Sequence, residues 1–334
     1  EHRENQGDSS EFLREKQLYG GENDDSGNAG RWESHGTGGE SLMKKNLLFR
    51  AFLPLAAYAV FTELALHGLA GILAAASDGW TGAVSPNLGA AVLWANAAAG
   101  LAVSGLFWRQ YGREEEEGKV PGRRLDLRRE KIGSFLLLIA LGICCCLGGS
   151  GLIFLLGEGF SGTISSGSLS AEAISAGAKA AAAPGTAFSL ATLFLCSGCI
   201  IPFAEEFLFR RAMYGSLREI RRLGRAGALI LSSVMFGLYH GQLLQGIYAG
   251  LLGCLLAFLY ERKRTLAVPV IVHASANSAA VLLETACYGT WLESRPGALL
   301  IQTGAAVFLA AVILRHICRQ ESRAGGKRGE CKFE

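Results

Sequence analysis

Apolar residues in this chain are gathered in blocks that alternate with short polar or glycine-rich segments. We count eight blocks, at about residues 48–75, 88–108, 132–157, 186–206, 227–240, 243–260, 266–286 and 297–315. A helix that crosses the hydrocarbon core of a membrane needs roughly 20 apolar residues, and six of the blocks reach that length. The pattern therefore predicts an all-α fold, a polytopic transmembrane helix bundle of about eight spans. The fifth and sixth blocks are shorter and meet at His240-Gly241, so they could instead form a tight hairpin that does not fully cross.

The basic residues support this division into spans and loops. Of the 32 Lys and Arg residues, 26 lie in five segments that alternate with nearly uncharged ones. These basic segments are 44–50, 109–131, 210–225, 261–264 and 315–334, whereas the intervening loops carry only Lys179 and Arg295. Because cytoplasmic loops hold most of the Lys and Arg of a membrane protein, the alternation predicts eight crossings with both termini in the cytoplasm. We expect a multi-pass protein of the plasma membrane.

The composition agrees with a membrane protein and excludes several other classes. Half of the residues are hydrophobic, only 18% are charged and mean hydropathy is +0.28, whereas soluble domains carry about 25% charged residues. A net charge of +3 is too weak to indicate nucleic-acid binding, so no nucleic-acid partner is expected. The 44 glycines fit close helix packing in lipid. The Cys196-Ser197-Gly198-Cys199 stretch lies in an apolar block and is interpreted as small-residue packing.

The domain organisation follows from the change in composition near residue 43. Residues 1–42 contain ten acidic and four basic residues and show no hydrophobic period, which is typical of a disordered tail. Met43 follows this tail and could be the natural start. We divide the rest into N-terminal spans and loops at 43–185, a helical core at 186–290, and a last span with a basic tail at 291–334.

Polar side chains inside the predicted spans are the best candidates for functional residues. A charged group in a span costs several kcal/mol unless it is paired or faces a cavity. Four such places occur in this chain, and they contain Glu63 and His67, Glu205 with Glu206 and Arg210, His240, and His273 with Asn277. For Glu63 and His67, four residues apart, a structural contact facing the bundle is the favoured interpretation.

The two adjacent glutamates cannot share one role. They point about 100° apart on a helix, and Glu206 can pair with Arg210 four residues later. Glu205 is then left free to point elsewhere. The alternative is a helix end with solvated charges. His240 alone could be a hydrogen-bonded core histidine, while His273 and Asn277 share one helix face and could line a cavity or bond two helices.

Taken together, the last three places supply the groups needed to hydrolyse an amide. A carboxylate such as Glu205 can take a proton from water as a general base. Imidazole and carboxamide groups can stabilise the oxyanion that forms on the scissile carbonyl. Alternatively, Glu205, His240 and His273 could hold a zinc ion with an open position for water. The H-E-x-x-H signature of soluble zinc peptidases is absent, so a metal is less certain than hydrolysis.

Three sequence motifs at these residues resemble those of the CPBP family, the intramembrane CAAX proteases and bacteriocin-processing enzymes. That family carries Glu-Glu-x-x-x-Arg, Phe-x-x-x-His and His-x-x-x-Asn on separate transmembrane helices. Here the three motifs are complete and in order, as Glu205-Glu206-Phe207-Leu208-Phe209-Arg210, Phe236-Gly237-Leu238-Tyr239-His240 and His273-Ala274-Ser275-Ala276-Asn277. The resemblance covers about residues 186–290.

The resemblance implies an all-helical intramembrane endopeptidase whose cavity opens to the cytoplasm. Its substrate would be a peptide or protein, including one that is itself associated with the membrane. Glu205 and His240 would activate water, with or without zinc. His273 and Asn277 would hold the oxyanion or contribute to a metal site, and Arg210 would orient the glutamate pair. Since some members of the family act in bacteriocin immunity and others look like scaffolds, a non-catalytic membrane protein of the same fold is the alternative. A transporter is less favoured because no inverted repeat is visible.

Overall fold

The structure of this chain is a computed structural model that describes residues 34–76, 86–116, 132–160, 187–286 and 294–325. Most of the loops predicted at 109–131 and 158–185, and the tail up to residue 33, lie outside the described residues. The chain divides into two units, 1–43 and 44–334, and the account below concerns the second. The first long helix begins at Ser34, within the segment predicted to be a disordered tail.

All regular elements in the described part are helices, and no strand occurs there. The helices are α1 (Ser34–Ala76), α2 (Pro86–Glu116), α3 (Ile132–Phe160), α4 (187–217), α5 (Gly224–Tyr239), α6 (Leu243–Lys263), α7 (Ala267–Thr285) and α8 (Pro296–Gly325). The predicted all-α, polytopic bundle is confirmed. Membrane lipid is therefore expected around the outer surface of this helix bundle.

Seven of these eight helices are long and apolar enough to cross a membrane. The exception is α5, whose 16 residues extend about 24 Å and fall short of a hydrocarbon core of about 30 Å. The sixth block, predicted to be short, forms a helix of 21 residues. α5 and α6 pack against each other as a hairpin, and Gly241, with a φ of 72°, supplies the left-handed turn at the predicted break.

α4 lies at the centre of the bundle. Its membrane span is 72% buried, whereas the other six spans are between 17% and 44% buried. α2, α5, α6 and α7 pack against α4, and α3 lies behind α6 and α7 with α8 on its far side. Any polar residue of α4 is therefore enclosed by other helices, away from lipid.

Glycines allow the closest helix contacts, as the composition suggested. A Cβ added to Gly142 of α3 would lie 2.3 Å from the carbonyl oxygen of Val272 in α7. In the α5–α6 hairpin, a Cβ on Gly237 would lie 2.5 Å from the carbonyl oxygen of Gly246. Both obstacles are backbone atoms, so only glycine permits these helices to approach so closely.

Candidate active site

The paired carboxylates lie on a short α-helical stretch of α4 that is bounded by π-helical turns on both sides. Ile201–Glu206 is α-helical, while Phe194–Ile200 and Phe207–Tyr214 are π-helical. Pro202 has no N–H group to donate, which weakens a regular α-helical ladder at this point. Because π-helical turns are rare and occur frequently at functional sites, the local geometry of α4 singles out this stretch.

Glu206 is fully buried and both of its oxygens are engaged. Arg210 Nε lies 3.0 Å from Glu206 Oε2, which confirms the predicted ion pair one helical turn apart. His273 Nδ1 lies 2.8 Å from Glu206 Oε1. A carboxylate can only accept, so the hydrogen bond requires that Nδ1 of His273 carries the proton and donates it. Glu206 thus links α4 to α7 and fixes the orientation of the imidazole.

Glu205 is also buried, with 6% of its surface exposed, but it is much less constrained. Its polar contact is with His273, whose Nε2 lies 3.6 Å from Glu205 Oε2, which is beyond hydrogen-bonding distance. Since Nδ1 of His273 is committed to Glu206, Nε2 is the nitrogen that faces Glu205. The structure therefore separates the two carboxylates, as predicted, into a locked one and one that is available.

Phe236 is the residue around which the three motifs meet. The guanidinium carbon of Arg210 lies 4.5 Å from the centroid of the Phe236 ring. The rings of His240 and His273 stand nearly perpendicular to it, with centroids 4.8 and 5.6 Å away. Sequence reasoning noted Phe236 only as a motif position and missed its role. Its fixed spacing of four residues from His240 was the available signal.

His240 lies at the end of α5, in the turn of the hairpin, and is half-buried. Its Nδ1 donates to the carbonyl oxygen of Phe236 at 2.8 Å, which leaves Nε2 as the free nitrogen. This bond fixes the ring on its own helix. His240 shares Phe236 as a neighbour with His273, but its polar contact is not made to either glutamate.

The arrangement does not form a three-ligand metal site among the described residues. No group of three His, Cys, Asp or Glu side chains there could hold a metal ion. Glu205 and His273 approach each other, but His240, the third suggested zinc ligand, makes its contacts elsewhere. The side chains as placed do not fit the zinc hypothesis. That hypothesis stays a prediction, and the chemistry below uses only the protein's own groups.

Asn277 anchors α7 to the first π-helical turn of α4. Its Nδ2 donates to the carbonyl oxygen of Ser197 at 3.1 Å, and the Ser278 hydroxyl lies 3.5 Å from the carbonyl oxygen of Gly198. An amide nitrogen carries two hydrogens, so one remains for another acceptor. The predicted interhelical bond is present, whereas an oxyanion role for Asn277 stays a prediction. The Cys196 and Cys199 side chains are free thiols in this packed region.

Glu63 and His67 contact each other on α1, with His67 Nδ1 3.7 Å from Glu63 Oε2. The side chains are 65% and 81% exposed, so the predicted bundle-facing contact is wrong. α1 turns its buried face inward at Tyr58, and His67, nine positions later, lies about 180° around the helix. The geometry of one helix therefore places the pair on the outer surface.

This fold and site define a class of protein. It is a polytopic helical membrane protein with carboxylate, histidine and arginine side chains gathered at its central helix. Residues 187–279 match the family model described as Type II CAAX prenyl endopeptidase Rce1-like, and all three motifs lie within the match. The resemblance inferred from the motifs is thereby confirmed for residues 187–279, which make up less than a third of the chain.

Two curated relatives match part of the chain. The chain is 30% identical over 103 residues to "Putative membrane peptidase YdiL" of Bacillus subtilis (strain 168), which covers 31% of this chain and 41% of that protein. It is 32% identical over 93 residues to "UPF0177 protein YxdF" of Lactococcus lactis subsp. lactis (strain IL1403), covering 26% of this chain and 50% of that protein. The similarity thus spans half or less of either relative. No solved structure matches the chain.

Proposed function

We propose that this protein is an intramembrane endopeptidase that cleaves a peptide bond near the cytoplasmic side of the membrane. The proposal rests on the family of the 187–279 domain and on the geometry around α4. The substrate would be a peptide or protein, including one held at the membrane by a lipid group. The plasma membrane, with both termini in the cytoplasm, is the expected location.

The contrast between the two adjacent glutamates is the observation that carries this proposal. Glu206 is held by an arginine and a histidine and has a structural role. Glu205 is buried beside the outward nitrogen of the same histidine without a hydrogen bond to it. The charge of Arg210 acts on Glu205 without a direct ion pair between the two. A buried carboxylate in this position is costly, and proteins keep such groups for chemistry.

In the proposed reaction, Glu205 takes a proton from a water molecule whose oxygen attacks the carbonyl carbon of the substrate. The resulting tetrahedral oxyanion needs hydrogen-bond donors, and the free N–H of Asn277 and Nε2 of His240, when protonated, are the candidates. The proton on Glu205 then passes to the leaving amine as the carbon–nitrogen bond breaks. Glu206 keeps the His273 ring in its orientation beside Glu205.

The test is the substitution Glu205→Gln, which keeps the shape of the side chain but cannot accept a proton from water. The matched control is Glu63→Gln, since Glu63 forms a similar glutamate–histidine contact that is exposed on α1. Purified proteins in liposomes would be assayed with a farnesylated peptide ending in Cys-aliphatic-aliphatic-X. To detect substrates of another kind, peptides from cells that carry each variant would also be compared by proteomics.

We expect Glu205→Gln to lower the cleavage rate by about 10²–10⁴, the usual contribution of a general base, while Glu63→Gln leaves it unchanged. Elemental analysis of the same preparations tests the zinc hypothesis directly. Cleavage by Glu205→Gln at the wild-type rate would refute the catalytic assignment. If neither the wild-type protein nor Glu205→Gln trims any peptide, and both give the same cellular phenotype, the protein acts as a scaffold or immunity protein.

A further inference from the structure

A tyrosine from outside the family domain reaches the site from α1. Tyr58 is completely buried, although it belongs to a helix whose span is only 22% buried. Its ring lies against Gly100 of α2, where an added Cβ would be 3.5 Å from Tyr58 Cε2 and 2.7 Å from the Cβ of Ala204. Ala204 directly precedes Glu205. Tyr58 therefore packs at the part of α4 that carries the proposed general base.

Tyr58 joins its helix to two others. Its hydroxyl donates to Oδ1 of Asn96 on α2. The ring of Tyr239 on α5 lies against the Tyr58 ring, with centroids 6.0 Å apart. A hydrogen bond thus joins α1 to α2, and a ring contact joins α1 to α5.

The consequence for the site comes through the residue next to Tyr239. His240 follows it directly, in the turn where α5 ends, and the two rings are 5.7 Å apart. Phe209 of α4 also contacts Tyr239, at 5.6 Å between centroids. Because His240 follows Tyr239 directly and the two rings are in contact, we expect a change in the position of Tyr239 to displace the His240 ring.

We propose that Tyr58, oriented by Asn96, is a positioning residue of the peptidase site, which holds Tyr239 and thereby the His240 turn. This inference deepens the proposed peptidase function and rests on it. It also gives the two N-terminal helices a role in the activity of a domain to which they do not belong. The role belongs to the Tyr58 hydroxyl, because a phenylalanine would fill the same space without making the hydrogen bond.

The experiment compares Tyr58→Phe with Tyr111→Phe as the matched control. Tyr111 is another buried tyrosine of the same hydrophobic cluster, and its hydroxyl donates to the backbone oxygen of Arg50 at 2.6 Å, away from the hairpin turn. Each variant is assayed for kcat and KM, for thermal unfolding, and for hydrogen exchange of peptides that cover residues 237–243. The last measurement does not depend on catalytic activity.

We expect Tyr58→Phe to speed exchange in the turn and to lower kcat by about tenfold at unchanged KM, as for the loss of one hydrogen bond. Tyr111→Phe should change neither. Asn96→Ala should act in the same direction, and adding it to Tyr58→Phe should cost little more, because both variants break the same contact.

Two results would overturn the inference. One is that Tyr58→Phe behaves like Tyr111→Phe in exchange and in kcat. The other is a lower melting temperature with kcat and KM changed together, which is the result of a purely structural role. If the wild-type protein cleaves nothing, the proposed peptidase function fails, but hydrogen exchange alone still decides whether Tyr58 positions the His240 turn.

Discussion

The substitution Glu206→Gln should lower the stability of this protein more than any single substitution at Glu205. Glu206→Gln keeps the shape of the side chain, and its carbonyl oxygen can still accept from His273. It removes the partner of Arg210, whose guanidinium is 1% exposed and whose Nη1 and Nη2 atoms have no hydrogen bond to the described residues. The cation then keeps the face of the Phe236 ring at 4.5 Å and the charge of Glu205, with which it forms no direct ion pair.

The size of the effect follows from these contacts. Breaking a buried ion pair by removing one partner costs about 3–5 kcal/mol, because the other charge stays buried. The contact between the guanidinium and the Phe236 ring contributes about 0.5–2 kcal/mol both in the wild-type protein and in the variant. It therefore does not compensate for the lost carboxylate. We therefore expect a loss of about 3 kcal/mol for Glu206→Gln. Arg210→Met should cost a similar amount, since it leaves Glu206 charged.

The double variant Glu206→Gln/Arg210→Met provides the decisive comparison. It removes both charges, so its loss of stability should be smaller than the sum of the losses in the two single variants. We expect the difference, which is the coupling energy, to be about 2–3 kcal/mol. Unfolding would be followed by circular dichroism during titration with a denaturing detergent. Glu63→Gln is the exposed control and should change stability by less than about 1 kcal/mol. Strictly additive effects, or a stable Glu206→Gln variant, would refute this account.

Two further predictions concern packing and topology. Gly142→Ala should destabilise the protein by about 1–3 kcal/mol in the same unfolding assay, since its Cβ would meet the backbone of α7 at 2.3 Å. Gly105→Ala, where a Cβ meets nothing within 4 Å, should not. In a cysteine-free background, an impermeant thiol reagent added from outside should label a cysteine placed at Ser294 but not one placed at Gly118. The opposite labelling pattern would overturn the predicted orientation of the termini.

The sequence alone determined the class of the fold and the residues that carry the motifs. Lipid imposes this, because a helix must be long and apolar to cross it, and a charge inside a span is too costly to occur without a reason. The ion pair between Glu206 and Arg210 was also visible, since residues four apart on a helix face each other. Local periodicity was sufficient for each of these inferences.

Distances between helices were decided only by the tertiary structure. The packing of α7 against the π-helical turns of α4 decides which glutamate bonds to His273. It also decides that Asn277 bonds to the backbone of Ser197. The same holds for the exposure of Glu63 and His67, whose spacing could not say which face of α1 turns inward. A helical pattern fixes angles around its own axis but not the neighbour that each face meets.

Tyr58 shows this limit most clearly. In the sequence it is one aromatic residue in a long apolar block, about 150 positions before Glu205, and nothing in its neighbourhood marks it. Gly100 lets α1 and α2 come close to α4, and in this packing the Tyr58 hydroxyl reaches Asn96 and its ring reaches Tyr239. Motif spacing identifies groups along one helix, whereas the polar contacts between helices exist only once the bundle has packed.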